Sequence, residues 1–283
     1  MSYYKVLGLE KEPFSTSPDP DFFYHSLSHL TALKRLEIAL RLKRGMSLII
    51  GDVGTGKTTL WRTLIQQFSE EPDVIFHVML DPGFKSQEQF LVSLCRMFGI
   101  ETGLATGLAS GGPRSLREPL EKYLFKTAAE EEKTVVLIID EGQKLEPESI
   151  EILRTLLNYE TNEYKLLQLV ILAQMEFVPR ISSMRNFSDR VSLTYTLNPL
   201  DENETGEMIE FRLRQAGYTR RYGLFTREAV KLIHDATGGY PRKIALLCHE
   251  ALKTAIMRDL DLVDDEIIRG VNGQTLYERL KSA

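Results

Sequence analysis

The stretch GDVGTGKTT, Gly51 to Thr59, constrains the fold more than any other part of the sequence. It satisfies the pattern G-x-x-x-x-G-K-[ST], which builds a phosphate-binding loop. The apolar run Met46–Ile50 before it predicts a buried strand, and apolar residues at helical spacing follow it. Because a strand, a glycine-rich turn and a helix form the context in which this motif binds phosphate, we expect a nucleotide-binding α/β fold. A chance glycine-rich turn is the alternative.

Each position of this motif has a physical reason. Gly54 and Gly56 allow a tight turn in which successive backbone N–H groups point at phosphate oxygens. The helix that starts near Lys57 adds its positive end, the Lys57 ammonium would reach the β- and γ-phosphates of ATP, and the Thr58 hydroxyl would ligate Mg²⁺. The candidate nucleotide-binding residues are Gly51, Asp52, Val53, Gly54, Thr55, Gly56, Lys57, Thr58 and Thr59.

A second motif, VVLIIDE, ends in two adjacent acids, Asp140 and Glu141. A carboxylate at the C-terminal edge of a central strand lies beside the phosphate loop in parallel sheets of this kind. We expect Asp140 to hold the Mg²⁺ shell and Glu141 to polarise an attacking water. An Asp-Glu helix cap is the weaker interpretation. Two adjacent acids favour ATP hydrolysis. They argue against a non-enzymatic role, that of a nucleotide-dependent scaffold that hydrolyses ATP only slowly.

Strand and helix patterns alternate over the first two hundred residues, which indicates a parallel five-stranded sheet covered by helices. After residue 200 only helical patterns follow. We therefore predict an α/β nucleotide-binding domain over residues 1–200, with an N-terminal segment 1–28, and a small all-helical lid domain over residues 201–283. The predicted strands are 46–50, 74–80, 134–140, 166–173 and 190–197, and the predicted lid helices are 201–216, 226–236, 241–257 and 264–271, with Asp201 as an N-cap.

Composition excludes several classes of protein. The formal charge is −5, from 35 Lys and Arg against 40 Asp and Glu, which is less basic than is usual for a protein coated in nucleic acid. No apolar run approaches the roughly 20 residues that span a bilayer, and no apolar signal region is present, so the expected compartment is the cytoplasm. Cys95 and Cys248 are too few for a disulfide framework or a zinc site. The stretch 101–115 is rich in Gly, Ser and Thr and predicts a mobile loop.

With both motifs in place, the sequence resembles AAA+ P-loop ATPases and, more closely, the general secretion pathway protein A (ExeA-like) family. The N-terminal segment carries Pro13-Phe14-Ser15, Pro18-Asp19-Pro20 and Phe23-Tyr24, similar to a PFS, PDP and FLY series in that family. IDEGQ at 139–143 resembles the family's IDEAQ box, and LNPLDENET with FRLRQAG resembles its lid. The resemblance covers nearly the whole chain. It implies ATP and Mg²⁺ as cofactors and a homo-oligomer, a ring or filament, that forms with nucleotide.

The resemblance also implies roles for three further residues. Gln174, after the fourth strand, falls at the sensor-1 position, although a plain strand-end polar residue is an equal alternative. Arg190, before the fifth strand, resembles the arginine finger that enters a neighbouring subunit's site. Arg185 is the competing choice, and a solvated surface charge is the alternative for either. Arg242 occupies the sensor-2 position of the lid, with Pro241 at the first turn of a helix; a surface arginine at a helix start is the weaker interpretation.

Two functional hypotheses follow. The first is an ATP-hydrolysing AAA+ protein that remodels or recruits an unidentified partner protein in secretion or pilus-like assembly. The second is a DNA-associated regulator of transposition that recruits a transposase. DNA binding is not favoured, because the chain is acidic overall and its basic clusters are typical of solvated helix faces. Secretion-pathway members of the family continue into a transmembrane helix and a peptidoglycan-binding part. This sequence stops at Ala283 with neither, so we expect a role that does not use that membrane anchor. The basic clusters are Lys34, Arg35, Arg41, Lys43 and Arg44, and Arg212, Arg214, Arg220 and Arg221.

Overall fold

A computed structural model describes residues 3–101, 113–220 and 223–273. In these residues five parallel strands form one sheet, in the order β2-β3-β4-β1-β5. This confirms the predicted parallel sheet, and each strand lies within one residue of its predicted bounds. The strands are β1 (Met46–Ile50), β2 (Val74–Met79), β3 (Thr134–Ile139), β4 (Leu167–Ala173) and β5 (Val191–Thr196).

The central strands are buried on both faces, whereas the edge strands are not. Every residue of β1 and β4 is buried, as expected of apolar strands covered by helices on both sides. β5 alternates between half-buried and exposed residues, in agreement with its alternating sequence. Ile50 pairs with Ala173, and Ile139 pairs with Ile171. The carboxyl ends of β1, β3 and β4 therefore meet at one edge of the sheet.

The helices between the strands supply most of the remaining core. Buried apolar residues of α3 (Gln87–Met97), α5 (Pro147–Leu156) and α6 (Phe177–Ser183) pack with those of the sheet. Phe90, Phe177 and Phe187 are among the largest fully buried side chains. The helices in this part of the chain are α1 (Leu27–Arg41), α2 (Lys57–Gln67), α3 (Gln87–Met97), α4 (Pro113–Leu124), which continues into a π-helical segment (Phe125–Glu130), α5 (Pro147–Leu156), α6 (Phe177–Ser183) and α7 (Arg185–Ser188).

The chain divides into two compact units, a larger one of residues 29–52 and 63–197 and a smaller one of residues 1–28, 53–62 and 198–283. The larger unit contains the sheet. The smaller unit contains the predicted lid helices, each within one residue of its predicted bounds. The division into domains at residue 200 stays a prediction. The helices of the smaller unit are α8 (Glu202–Gln215), α9 (Arg227–Thr237), α10 (Pro241–Met257) and α11 (Asp265–Asn272).

The N-terminal segment shares a hydrophobic core with the helices of the smaller unit. Phe14 is 1% exposed and contacts Phe225 edge to face, with ring centroids 5.8 Å apart. Asp201 caps α8: its carboxylate accepts the Glu204 N–H, and the Glu204 carboxylate accepts the Asp201 N–H. This confirms Asp201 as the predicted N-cap.

The half-buried Arg212 links the N-terminal segment to α8. The Arg212 guanidinium donates from Nε to the Phe22 carbonyl over 3.2 Å and from Nη1 to the Ser15 carbonyl over 3.0 Å. Burial lowers the pKa of Arg212. The Arg212 guanidinium therefore makes a structural contact with the N-terminal segment rather than forming part of a solvated basic face.

Candidate functional site

The loop Gly51–Thr59 has a backbone that requires glycine at two positions. Gly54 has a φ of 87° and Gly56 a φ of 96°, in the left-handed region that residues with a Cβ rarely adopt. α2 begins at Lys57, so the backbone N–H groups of its first turn lie at the end of the loop. This arrangement can bind an anion at a helix N-terminus.

The side chains of the loop differ in their exposure. Thr55 and Lys57 are buried, whereas Asp52 and Val53 are exposed. Gly51 extends β1, because its N–H donates to the Ala173 carbonyl in β4 over 3.1 Å. The nucleotide-binding roles of the loop residues, including the half-buried Thr58 and Thr59, stay predictions.

Arg242 lies at the start of α10, and its backbone contacts the phosphate loop. Its N–H donates to the Gly54 carbonyl over 3.3 Å, and a Cβ added to Gly54 would lie only 3.1 Å from the Cβ of Arg242. Pro241 occupies the first turn of the helix, as predicted. Two residues that the sequence analysis placed in the site, Gly54 and Arg242, are thus in direct contact. The sensor-2 role of the exposed Arg242 side chain stays a prediction.

Asp140 and Glu141 occupy the turn that follows β3. Asp140 is 4% exposed, its N–H donates to the Met79 carbonyl at the end of β2 over 2.9 Å, and its carboxylate accepts the Glu141 N–H over 3.0 Å. Glu141 is half-buried, with φ 54° and ψ 39°, a left-handed conformation that is unfavourable for a residue with a Cβ. Backbone strain of this kind tends to occur at functional sites.

Gly142, the next residue, is needed for space rather than for backbone conformation. A Cβ at this position would lie 2.4 Å from Cγ2 of Ile171 in β4, closer than real contacts allow. The family that this sequence resembles has alanine at the corresponding position of its IDEAQ box. In this chain the Ile171 side chain fills the space that such a methyl group would need.

Gln143, which was not predicted to be a site residue, joins the ends of β3 and β4. Its Nε2 donates to Oε2 of Glu141 over 2.6 Å, and its Oε1 accepts the backbone N–H of Gln174 over 3.1 Å. Gln174 thus lies directly after β4 as predicted and contacts this turn through its backbone; its sensor-1 role stays a prediction. The sequence feature that could have indicated Gln143 is its side-chain amide, two residues after Glu141 in DEGQ.

The two candidate arginine fingers are in different environments. Nη2 and Nε of Arg190 donate to Oδ1 of Asn158 over 2.6 and 3.2 Å, and its Nη1 donates to the Asn186 carbonyl. Arg185 begins α7 and is exposed. The finger role of Arg190, and of Arg185 as the competing choice, stays a prediction.

The two cysteines are buried in separate units. Burial raises the pKa of Cys95 to about 11, and burial also raises the pKa of Cys248. Both thiols therefore stay protonated near neutral pH and pack as small apolar groups. In the described part of the chain no cluster of three or more His, Cys, Asp or Glu residues could hold a metal ion, and no helix there is long and apolar enough to cross a bilayer. Residues 102–112 of the predicted mobile loop, and Arg221, lie outside the described residues.

Comparison with known proteins agrees with this geometry. A family model described as AAA domain matches residues 40–181, which is half of the chain. The chain belongs to the AAA domain family.

This AAA chain is 35% identical over 278 residues to general secretion pathway protein A of Aeromonas hydrophila. The match covers 98% of the chain and 48% of the relative, which confirms the predicted resemblance. Since the chain spans about half of that relative, the activity and partners of the whole relative are not transferred by the match.

Two solved structures have the same fold as this AAA chain. Cdc6p from Pyrobaculum aerophilum superposes with a TM-score of 0.67 at 18% identity, over 92% of this chain and 69% of that one. The ORC1 protein of Aeropyrum pernix, in complex with DNA, gives a TM-score of 0.61 at 18% identity, over 88% and 65% of the two chains. At this identity the likeness establishes the fold alone.

Proposed function

We propose that this AAA protein binds ATP with Mg²⁺ and hydrolyses it. The observation that carries the proposal is a glycine-built loop at the start of α2, together with a buried Asp140 and an adjacent Glu141 at the end of β3. We further propose that it oligomerises with nucleotide in the cytoplasm, and that it remodels or recruits a partner protein in secretion or pilus-like assembly. The 35% identity to general secretion pathway protein A, over nearly the whole chain, supports that role.

The side chains present fit a nucleotide with Mg²⁺. Mg²⁺ is usually held by one or two protein oxygens together with phosphates and water, and the Thr58 hydroxyl and the Asp140 carboxylate are donors of that type. When bound, ATP and Mg²⁺ supply the phosphoryl group that is transferred and a cation that offsets its negative charge. The loop N–H groups and Lys57 would bind the phosphates, and Glu141 would orient the attacking water and accept its proton.

Two substitutions test hydrolysis. Lys57→Ala should remove ATP binding, because the charge at the phosphates is lost. Glu141→Gln should retain binding and stop turnover, because only water activation is removed. Fluorescent-nucleotide titration and phosphate release measure the two effects. The matched control is Cys95→Ala with Cys248→Ala, which should stay within a few-fold of wild type. Wild-type turnover in Glu141→Gln would exclude Glu141 as the base, and a wild-type chain that does not bind ATP would refute the proposal.

Oligomerisation is tested through the two candidate fingers. An arginine that stabilises the transferred phosphoryl group in a neighbouring subunit can contribute about 10³-fold or more to turnover. Arg185→Ala and Arg190→Ala should both retain ATP binding, and the variant of the true finger should lose most hydrolysis. Mixing that variant with Lys57→Ala should restore part of the activity, because hybrid interfaces combine an intact loop with an intact finger. Turnover independent of protein concentration and of both arginines would refute the oligomer.

The alternative function, a DNA-associated regulator that recruits a transposase, has a structural relative solved with DNA. The basic clusters do not favour it. Arg41 pairs with Glu37 and Glu71, and the Arg212 guanidinium is bonded to backbone carbonyls. Cations that already have partners within the fold contribute little to phosphate binding. Submicromolar retention of duplex DNA in a gel-shift titration near physiological salt, with ATP present, would place this alternative first.

A further inference from the structure

The turn after β3 contains a side chain that the proposed chemistry leaves without a role, that of Gln143. We infer that Gln143 is a positioning residue, whose amide fixes the Glu141 carboxylate relative to the end of β4, and that Arg180 fixes the turn on which Gln143 lies. This inference rests on the proposed ATP hydrolysis, since it concerns the group proposed to activate water.

The contacts of the Gln143 amide determine its orientation. A carboxylate can only accept hydrogen bonds, so the nitrogen of the amide must face Glu141, at 2.6 Å. The backbone N–H of Gln174 can only donate, so the oxygen of the amide must face Gln174, at 3.1 Å. A flipped amide would place oxygen against oxygen and N–H against N–H. The bridge therefore forms in one orientation only.

Glu141 needs such a contact to be held in place. Its backbone is in the left-handed region, and its side chain is only half-buried. A half-buried carboxylate on a flexible side chain samples several rotamers unless a bond selects one. A hydrogen bond to a charged acceptor is stronger than one between neutral groups, so the Gln143 amide can make that selection.

Arg180 in α6 anchors the same turn. Its Nη1 donates to the Gln143 carbonyl over 2.6 Å, and its Nη2 donates to the Leu145 carbonyl over 2.5 Å. The guanidinium also lies 5.9 Å from the ring centroid of the fully buried Phe177. A planar group that bonds two carbonyls of one turn limits how far that turn can move. The position of Gln143 is thus fixed by side chain and backbone alike.

Gln143→Glu removes one of the two hydrogen bonds of the amide and keeps the other. The variant keeps the size of the side chain and an oxygen that accepts the Gln174 N–H, but it replaces the donor to Glu141 by a second carboxylate oxygen. We expect kcat for ATP hydrolysis to fall about 10- to 100-fold, a part of what a positioned general base contributes. KM and the Kd for a fluorescent ATP analogue should stay within a few-fold of wild type. Lys144→Ala, an exposed neighbour in the same turn, is the matched control and should leave kcat unchanged.

A second pair of measurements separates positioning from a structural role. Steady-state turnover is expected to stop in Glu141→Gln, so the slow residual hydrolysis is measured there under single-turnover conditions. In that background Gln143→Glu should lower the residual rate no further, because it acts through Glu141. Arg180→Lys keeps the positive charge but loses the planar guanidinium that donates to two carbonyls. It should lower kcat about 5- to 10-fold and leave the Kd for the ATP analogue unchanged. It provides the same test should Gln143→Glu fail to fold.

Three results would overturn the inference. They are a wild-type kcat in Gln143→Glu, an equal loss of turnover in the Glu141→Gln background, or a matching loss of nucleotide binding. A wild-type kcat in Gln143→Glu, when Lys57→Ala is inactive, would refute the positioning role and leave the proposed hydrolysis standing. A wild-type chain without ATP turnover would refute both.

Discussion

Two turns leave the same edge of the sheet, and they use glycine for opposite reasons. In the loop after β1, Gly54 and Gly56 have positive φ, so glycine supplies a backbone conformation. In the turn after β3 the positive φ falls on Glu141, while Gly142 is needed because a Cβ there would collide with Ile171. The loop after β1 avoids backbone strain because its positive φ angles fall on glycines. In the turn after β3 the strain falls on Glu141, the residue proposed as the catalytic base.

The difference shows how a strained residue is kept in place. The Asp140 carboxylate accepts the Glu141 N–H, the Gln143 amide donates to the Glu141 carboxylate, and Gly142 lets the turn pack against β4. Residues in sparsely populated backbone regions persist only where their surroundings determine them in several ways. The turn after β3 is such a place, and the phosphate loop needs no equivalent support for its backbone.

The largest effect is expected at the phosphate loop. Gly54→Ala adds a Cβ at a φ of 87° and within 3.1 Å of the Arg242 Cβ, so it strains the backbone and displaces the start of α10 together. Backbone strain costs about 1–3 kcal/mol, and we expect nucleotide affinity to fall about 10- to 100-fold, at about tenfold per 1.4 kcal/mol. Fluorescent-nucleotide titration measures the change.

Gly270→Ala is the control for Gly54→Ala. Gly270 lies in α11, and a Cβ there would meet open space. Alanine is favoured over glycine inside a helix by about 0.5–1 kcal/mol, so this variant should be slightly more stable and bind nucleotide normally. Unchanged affinity in Gly54→Ala would show that the loop does not need the observed backbone to bind ATP.

A smaller effect is expected at the turn after β3. Gly142→Ala should destabilise the fold by about 1–3 kcal/mol, the usual cost of overpacking, because its methyl group meets Cγ2 of Ile171. Ile171→Leu moves the branch away from Cβ, so the double variant should be less destabilised than the sum of the two single changes. Urea unfolding measures all three. Strict additivity would mean that backbone conformation, and not space, is what Gly142 provides.

The sequence predicted the phosphate loop and the sheet because both depend on residue types that lie close together in the chain. Continuous apolar runs predicted β1, β3 and β4, and Gly54 and Gly56 occupy the positions of positive φ. α4 was not predicted. Pro119 lies inside it, and its helical pattern follows a stretch rich in Gly and Ser.

The turn after β3 could be predicted only in part, because its contacts join distant segments. Asp140 and Glu141 were expected at a strand end, but the bond from Gln174 to Gln143 spans 31 residues. The bonds from Arg180 span 37 and 35 residues. No local pattern indicates which carbonyls a guanidinium will reach, nor that Arg190 is bonded to Asn158 while Arg185 is exposed. Such contacts arise from the packing of α6 and α7 against the sheet.

The smallest expected effect concerns the strain at Glu141 itself. Glu141→Ala and Glu141→Gly both lose the carboxylate and its bond to Gln143, so both should lack turnover. They differ only in the Cβ, which is unfavourable at a φ of 54°. We therefore expect the glycine variant to be more stable than the alanine variant by about 1 kcal/mol, as measured by urea unfolding.

The expected difference in stability between glycine and alanine at position 141 is opposite in sign to that at position 270, where alanine should be the more stable residue. Comparing two variants that lack the same carboxylate removes the contribution of the lost hydrogen bond, which a comparison with wild type would include. Glu132, exposed and with a φ of 58°, offers a second left-handed position outside the site. There the glycine variant should also be more stable than the alanine variant, without loss of turnover. The opposite result would be an alanine variant that is the more stable one at position 141 but not at position 132. It would mean that the turn after β3 relaxes when the carboxylate is lost. The left-handed backbone of Glu141 would then be a consequence of its bond to Gln143 rather than of the chain around it.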